Sequence, residues 1–371
     1  MTHQTHTTGM LAGRLNLRTR EFAVKQVPIP EPGHGQVRIR VAAAGICLSD
    51  VHLIEGGLKP LFNPSDEVTL GHEVSGTIDK VGEGVPDIWK EGQRVLLQAG
   101  EMCRECANCV RGRAPCLAVR TRGLDYDGGW AEYALATHTT LVPIPDTLPF
   151  EQAAIIPDAV STPWAAILLT GQVRPAEAVG VWGVGGLGAH AVQLARMVGA
   201  APIIAVDPIP AARERALEYG ADLALDASDA DVPAQVRAAT GGQGLAAAFD
   251  MAGVAAVREQ ALACLGRGGR LVLVGLALGG VTVGDQTAFS YSQHKLLGHY
   301  GSTPEHVIQL VSLARHRRLD LSRSISGVLP LAEAAQGVER LRSKQANPIR
   351  LILCPPGADT SDARSRAKER P

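Results

Sequence analysis

The chain has 371 residues, 46 % of them apolar and 20 % charged, and its 36 Lys plus Arg against 37 Asp plus Glu leave a net charge of −1. That length exceeds one ordinary core and implies about two domains. With no basic surplus to neutralise a phosphate backbone, nucleic acid is set aside as a partner.

The opening stretch, "MTHQTHTTGM", is polar and lacks the apolar centre of a signal peptide. The seven cysteines are an odd number, so a reducing cytoplasm is expected rather than a disulfide framework. The first part of the chain reads as β-rich. "QVRIRVAAAG" alternates apolar and polar residues from Val37 to Val41, as a half-buried strand does, and "VSGTIDKVGEGV" and "RVLLQAG" follow as strands between glycine turns.

Within this region, "MCRECANCVRGRAPC" places Cys103, Cys106, Cys109 and Cys116 in fourteen positions. Four thiolates at that spacing can wrap one tetrahedral zinc and leave no open position, which makes such a site structural. An iron–sulfur cluster or a thiol redox pair stays open on spacing alone.

Three further residues are dispersed: Cys47 in "GICLSDVH", His72 in "TLGHEVSGTI" and Asp158 in "IIPDAVSTPW". One thiolate, one imidazole and one carboxylate would leave zinc a fourth, open position, as catalysis needs. Taken singly, each has a plainer reading: a buried thiol, a satisfied core histidine and a helix cap.

After about residue 163 the pattern changes to alternating apolar strands and helical stretches. "AEAVGVWGVGGLGAHAVQLARMVGA", "PIIAVD", "AAAFDMAG", "GGRLVLVGL" and "HKLLGHYG" supply the strands of a parallel, doubly wound sheet. "VWGVGGLG" holds Gly183-x-Gly185-x-x-Gly188 directly after a strand and opening a helix, the setting of a dinucleotide pyrophosphate turn. Asp207 closes the next strand nineteen residues after Gly188. An acid there can accept both hydroxyl hydrogens of an adenosine ribose and repels a 2′-phosphate, which favours NAD over NADP. The plainer alternatives are a glycine turn that only packs helix on strand, and an ordinary strand-end acid. The apolar stretches of this half are broken by Gly, His, Gln and Arg, so no membrane span is expected. "RLILCP" returns as a strand outside the parallel sheet, and the polar end "GADTSDARSRAKERP" reads as disordered.

Taken together and in this order, "GICLSDVH", "GHEVSG", the four-cysteine lobe, "GGWAEY", the Asp158 segment, "GVGGLG" and "NPIRLIL" resemble the zinc-dependent medium-chain alcohol dehydrogenases from about residue 11 to 356. The resemblance implies a β-rich, GroES-like catalytic domain with an inserted Rossmann domain. The boundaries are 1–158 for the first catalytic segment, with the cysteine lobe at about 98–120, 159–303 for the NAD-binding domain, 304–356 for the second catalytic segment and 357–371 for the tail.

The resemblance also implies roles. Cys47, His72 and Asp158 would hold a catalytic zinc, with Asp158 standing where many members have a second cysteine, and Glu73 would bind it transiently. Cys103, Cys106, Cys109 and Cys116 would hold a second, structural zinc. Asp50 would orient His72. Ser49 would pass the substrate proton through the cofactor ribose to His52. Thr162 and Leu187 would pack the nicotinamide ring, and Arg350 would contact the pyrophosphate. The NAD(H) set is completed by Gly183, Gly185, Gly186, Gly188, Asp207 and Val274.

Two zinc ions, NAD(H), a small alcohol or carbonyl substrate and a homodimer or homotetramer are therefore expected. The expected reaction is reversible oxidation of a primary or secondary alcohol or polyol. A carbonyl-conjugated C=C reductase of the same fold, or a non-catalytic NAD- and zinc-binding protein, is the alternative. Three departures from the family stand out. Six residues separate Cys109 from Cys116, one fewer than usual, and Leu48 follows the ligand cysteine where a small or polar residue is common. The segment from His52 to His72, which borders the substrate pocket in the family, is somewhat long, so the resemblance does not carry over a substrate.

Overall fold

The computed structural model describes residues 9–63, 65–113, 115–276 and 280–358. The expected tail, 357–371, lies outside the described residues from 359 onward. The chain divides into two compact units, one built from residues up to 158 and from 303 onward, the other from residues 159–302. Among the described residues no helix is long and apolar enough to cross a membrane.

The first unit is organised by one long strand, Gln36–Ile46. Val37, Ile39 and Val41 are buried while Arg38 and Arg40 reach outward, and from Val41 to Ile46 every residue is buried. That switch from alternation to continuous burial marks a strand covered on one face at its start and on both faces at its end. Its length gives it three neighbours. Gln36–Arg40 pairs with Tyr133–Thr137, Val37–Ala44 with the strand Val74–Val81, and Ala44–Ile46 with the strand Arg350–Cys354. All three pairings are antiparallel.

The register decides which residues meet. Ile46 lies opposite Leu351 and Ala44 opposite Val74, so Cys47, Glu73 and Arg350 come to one end of three adjoining strands. Residues far apart in sequence are thus joined by the ladder. The unit's core packs Val37, Ile39, Ile46, Leu70, Val74 and Trp130 together with Leu351 and Leu353 from the returning strand.

The second unit carries a six-stranded sheet, all parallel. Its order is Leu223–Leu225, Ile203–Val206, Val179–Trp182, Leu245–Asp250, Leu265–Leu273 and Lys295–Gly298. Counted in chain order this is 3-2-1-4-5-6, the doubly wound arrangement in which ligands sit outside the carboxyl ends of the strands where the order reverses. The reversal falls between Val179–Trp182 and Leu245–Asp250, and both central strands are almost wholly buried.

Candidate active site

Cys47, at the end of the long strand, is the N-cap of the helix Leu48–Ile54. The Asp50 carboxylate, in the first turn, accepts the Cys47 N–H at 2.9 Å. Its other oxygen lies 3.5 Å from His72 Nδ1. That leaves His72 Nε2 on the far side, 3.4 Å from Asp158 Oδ2, and Asp158 Oδ2 is in turn 3.5 Å from Cys47 Sγ. Asp158 reaches the group from the π-helical turn Ile156–Val160, which continues the helix Phe150–Ala154. The Phe150 carbonyl accepts the Ser75 hydroxyl at 2.7 Å and fixes that helix to the strand Val74–Val81.

These distances suit a metal. A tetrahedral zinc with nitrogen or oxygen at about 2.0–2.2 Å and sulfur at about 2.3 Å needs donor–donor separations of about 3.3–3.8 Å. The separations of Asp158 from His72 and from Cys47 fall in that window, and one ligand atom each from Cys47, His72, Glu73 and Asp158 lies within 4.8 Å of the others. Glu73 is fully buried behind them, and Arg350 Nη2 lies 2.9 Å from its Oε1, 3.6 Å from Asp158 Oδ2 and 3.6 Å from Cys47 Sγ.

Charge is concentrated here. Burial works against the His72 cation, but the Asp50 charge and the Asp158 hydrogen bond outweigh it and hold His72 protonated well above the usual histidine range. Burial pushes the Glu73 carboxyl up to about 7, against the pull of Arg350. Three acids and a thiol thus gather around one imidazole and one guanidinium, an environment that favours a divalent cation in place of the imidazole proton.

Two glycines make the assembly possible. A Cβ at Gly45 would collide with the Glu73 carboxylate, and one at Gly71 would collide with the Trp130 ring. Trp130, wholly buried, donates its indole N–H to the Gly45 carbonyl at 2.9 Å. Sequence reasoning assigns neither Gly45 nor Trp130 a role. Their signal is present all the same, since each sits in a motif that carries the family resemblance, "GICLSD" and "GGWAEY".

The cysteine lobe rises from a short ladder, Gly100–Glu101 with Arg120–Thr121. Its four sulfurs lie within 4.8 Å of one another, with Cys103 Sγ 3.5 Å from Cys116 Sγ and 4.0 Å from Cys109 Sγ. A tetrahedral sulfur cage around zinc has edges of about 3.8 Å, so the short Cys109–Cys116 spacing does not prevent convergence. Backbone N–H groups of Cys106, Cys109 and Leu117 point at the sulfurs at 3.4 Å. The Leu117 and Cys109 amides pull the Cys106 thiol down to about 6, into the range where it is a thiolate at neutral pH.

In the second unit, the strand Val179–Trp182 turns at Gly183 (φ +83°) and enters the helix Gly188–Met197. A Cβ on Gly188 would strike the Gly183 carbonyl, which enforces glycine there. Asp207 is buried, and its two oxygens accept the N–H groups of Val184 at 2.7 Å and Ile209 at 2.8 Å. The strand-end acid therefore also braces the turn. Gly185, Gly186 and Leu187 form the turn itself, and Val274 is buried just past the strand Leu265–Leu273, its N–H on the Asp250 carbonyl.

Of the remaining expected residues, Ser49 Oγ lies 3.6 Å from Cys47 Sγ, and His52 sits one helical turn further on, half-buried. Thr162 is buried in the helical turn Ser161–Ala165. Arg350, expected at the cofactor pyrophosphate, is buried against Glu73 in the first unit.

A scan against protein-family models matches residues 33–146 to "Alcohol dehydrogenase GroES-like domain" and residues 186–315 to "Zinc-binding dehydrogenase". Among curated proteins, the NDMA-dependent alcohol dehydrogenase of Amycolatopsis methanolica is 32 % identical, over 89 % of this chain and 95 % of its own. The NAD-dependent alcohol dehydrogenase of Sulfurisphaera tokodaii is 30 % identical, over 91 % of this chain and 98 % of its own. Among solved structures, a zinc-binding dehydrogenase from Sinorhizobium meliloti bound to NADP superposes with a TM-score of 0.85. It is 28 % identical, and the match covers 94 % of this chain and 100 % of that one.

Proposed function

The chain belongs to the zinc-dependent alcohol dehydrogenases with a GroES-like domain and is an NAD-dependent alcohol oxidoreductase; within that activity we propose a division of labour among its residues. Cys47, His72 and Asp158 hold a catalytic zinc, and Cys103, Cys106, Cys109 and Cys116 hold a second, structural one. The observation that carries this reading is the pair of donor separations, 3.4 and 3.5 Å, in a buried group of mixed sulfur, nitrogen and oxygen donors.

When bound, zinc supplies a Lewis acid that makes an alcohol hydroxyl easier to deprotonate, and NAD supplies the hydride acceptor. The protein's part is to hold and move protons around that chemistry. Asp50 keeps His72 oriented with Nε2 toward the metal position. Ser49, beside Cys47 Sγ, takes the hydroxyl proton, and His52, one helical turn further on, hands it to solvent. Glu73, held by Arg350, would offer a further oxygen donor to a metal held there.

In the second unit the Gly183–Gly188 turn takes the pyrophosphate. Asp207 takes the adenosine ribose and favours NAD over NADP, although one structural relative binds NADP. Thr162, Leu187 and Val274 line the nicotinamide end. The edge strand of the parallel sheet, paired on one side only among the described residues, supports a homo-oligomer, and the odd number of cysteines supports a reducing compartment.

The test is metal content measured together with NAD reduction across simple alcohols, polyols and amino alcohols. Two zincs per chain and zinc-dependent NAD reduction are expected. Turnover that is indifferent to chelation, or reduction of conjugated C=C bonds alone, would refute the assignment.

A further inference from the structure

The helical run after Asp158 is irregular in a defined place. The turns Ile156–Val160 and Ala166–Thr170 are π-helical, and the α-helical turn Ser161–Ala165 lies between them. Single π turns are uncommon, concentrate at functional sites and persist where neighbours hold them.

In the unit of residues 159–302 that support comes from the segment leaving the last strand of the parallel sheet. His299 follows the strand Lys295–Gly298, its N–H on the Leu273 carbonyl at 3.0 Å. Its ring spans the second π turn: Nε2 donates to the Thr162 carbonyl at 3.1 Å, and Nδ1 lies 2.8 Å from the Thr170 hydroxyl. A carbonyl only accepts, so Nε2 carries the hydrogen. Three residues on, the hydroxyls of Ser302 and Ser161 lie 2.8 Å apart. One segment at the carboxyl end of a parallel strand thus ties the turn carrying Thr162 at two adjacent residues. The glycine turn after Val179–Trp182 leaves the sheet at the same end, where doubly wound sheets take their ligands.

We propose that His299 is a positioning residue for the nicotinamide end of the cofactor. It staples Thr162 to Thr170 across the second π turn and so fixes the turn on which Thr162 sits. The inference rests on the reading of this unit as the NAD-binding domain. The adenosine and pyrophosphate end depends on the Gly183–Gly188 turn and on Asp207, whose carboxylate accepts the Val184 and Ile209 N–H groups. Loss of the staple should therefore weaken binding of NADH while sparing ADP-ribose, which lacks the nicotinamide.

Three variants of the full enzyme separate the contacts. His299→Gln keeps an N–H donor at the reach of Nε2, His299→Asn falls short of the Thr162 carbonyl, and Thr170→Val removes the other tie. Dissociation constants for NADH and ADP-ribose are measured by fluorescence and calorimetric titration, with zinc content and melting temperature on the same samples. His299→Asn should weaken NADH about five- to tenfold, the worth of one lost hydrogen bond, and leave ADP-ribose unchanged. His299→Gln should recover most of the NADH affinity. If His299→Asn does not fold, Thr170→Val carries the same comparison, with a smaller loss of NADH affinity expected. Equal weakening of both ligands, or unchanged NADH affinity, would overturn the proposal. A wild-type enzyme that binds neither ligand would instead overturn the NAD reading itself, and this inference with it.

Discussion

Asp207 does two things at once, and the two can be separated. Its oxygens accept the Val184 and Ile209 N–H groups, so the carboxylate braces the glycine turn as well as setting charge at the ribose position. Asp207→Asn keeps one acceptor, which can take the Val184 N–H of the turn, gives up the one facing Ile209, and removes the negative charge. The ratio of kcat/KM for NAD to that for NADP should fall about ten- to a hundredfold, mostly by a gain with NADP. Steady-state kinetics with both cofactors checks this, and an unchanged ratio would move cofactor choice to other residues. The sequence made Asp207 visible because its distance from the glycine turn is characteristic. Its bracing role was invisible, since which way a strand-end carboxylate points depends on the neighbouring strand. Cys47, His72 and Asp158 show the same limit more sharply. No spacing rule joins residues 47, 72 and 158; the strand register and the anchoring of the helix Phe150–Ala154 do, and from sequence only the family resemblance suggested the meeting.

At the scale of elements, the alternation of strands and helices was legible because parallel buried strands are continuous apolar runs, whereas the order 3-2-1-4-5-6 was not, since right-handed crossovers allow more than one doubly wound order. Nor were the π turns. Asp158 in "IIPDAVSTPW" also read as a helix cap. Instead it lies inside a helical run that continues through Pro157 and Pro163, as the π turn Ile156–Val160 and the α-helical turn Ser161–Ala165.

The cysteine lobe is an element with its own energetics. Cys106→Ser replaces one sulfur, the acceptor for the Leu117 and Cys109 amides, with a hydroxyl that is a poor zinc ligand. It should cost one zinc per chain and lower the melting temperature, while the hydride-transfer step in surviving enzyme is unchanged. Calorimetry and single-turnover kinetics read the two effects separately.

A second elemental tie is Arg270, in the strand Leu265–Leu273. It bonds the carbonyls of Gly171, Gln172 and Ala246 and pairs with Glu177 at 2.5 Å. Burial raises the Glu177 pKa, but Arg270 and the Arg174 amide outweigh it and hold the carboxyl below its usual range. A carboxyl depressed in the folded state stabilises fully above its unfolded pKa of about 4.3, and that contribution is lost as pH falls through the folded value. Glu177→Gln should therefore cost about 1 kcal/mol at pH 7 and progressively less as the pH falls through the folded value. Denaturation across a descending pH series checks the sign.

At the scale of the whole molecule, the strand Lys295–Gly298 ends the parallel sheet and pairs on one side only among the described residues. Leu296 on this strand is exposed, as are Leu276, Val283, Tyr291 and Tyr300 nearby in sequence. An exposed apolar edge invites pairing with a second copy. The wild type should sediment as a dimer or larger, and Leu296→Lys should shift it toward monomer.

The central claim, that Asp158 completes a catalytic zinc site separate from the cysteine lobe, is tested by zinc stoichiometry and turnover on one preparation of Asp158→Ala. The account predicts one zinc per chain against two in the wild type, unchanged NADH affinity, and turnover lower by about a thousandfold or more. An Asp158→Ala enzyme that keeps both zincs and most of its turnover would contradict it.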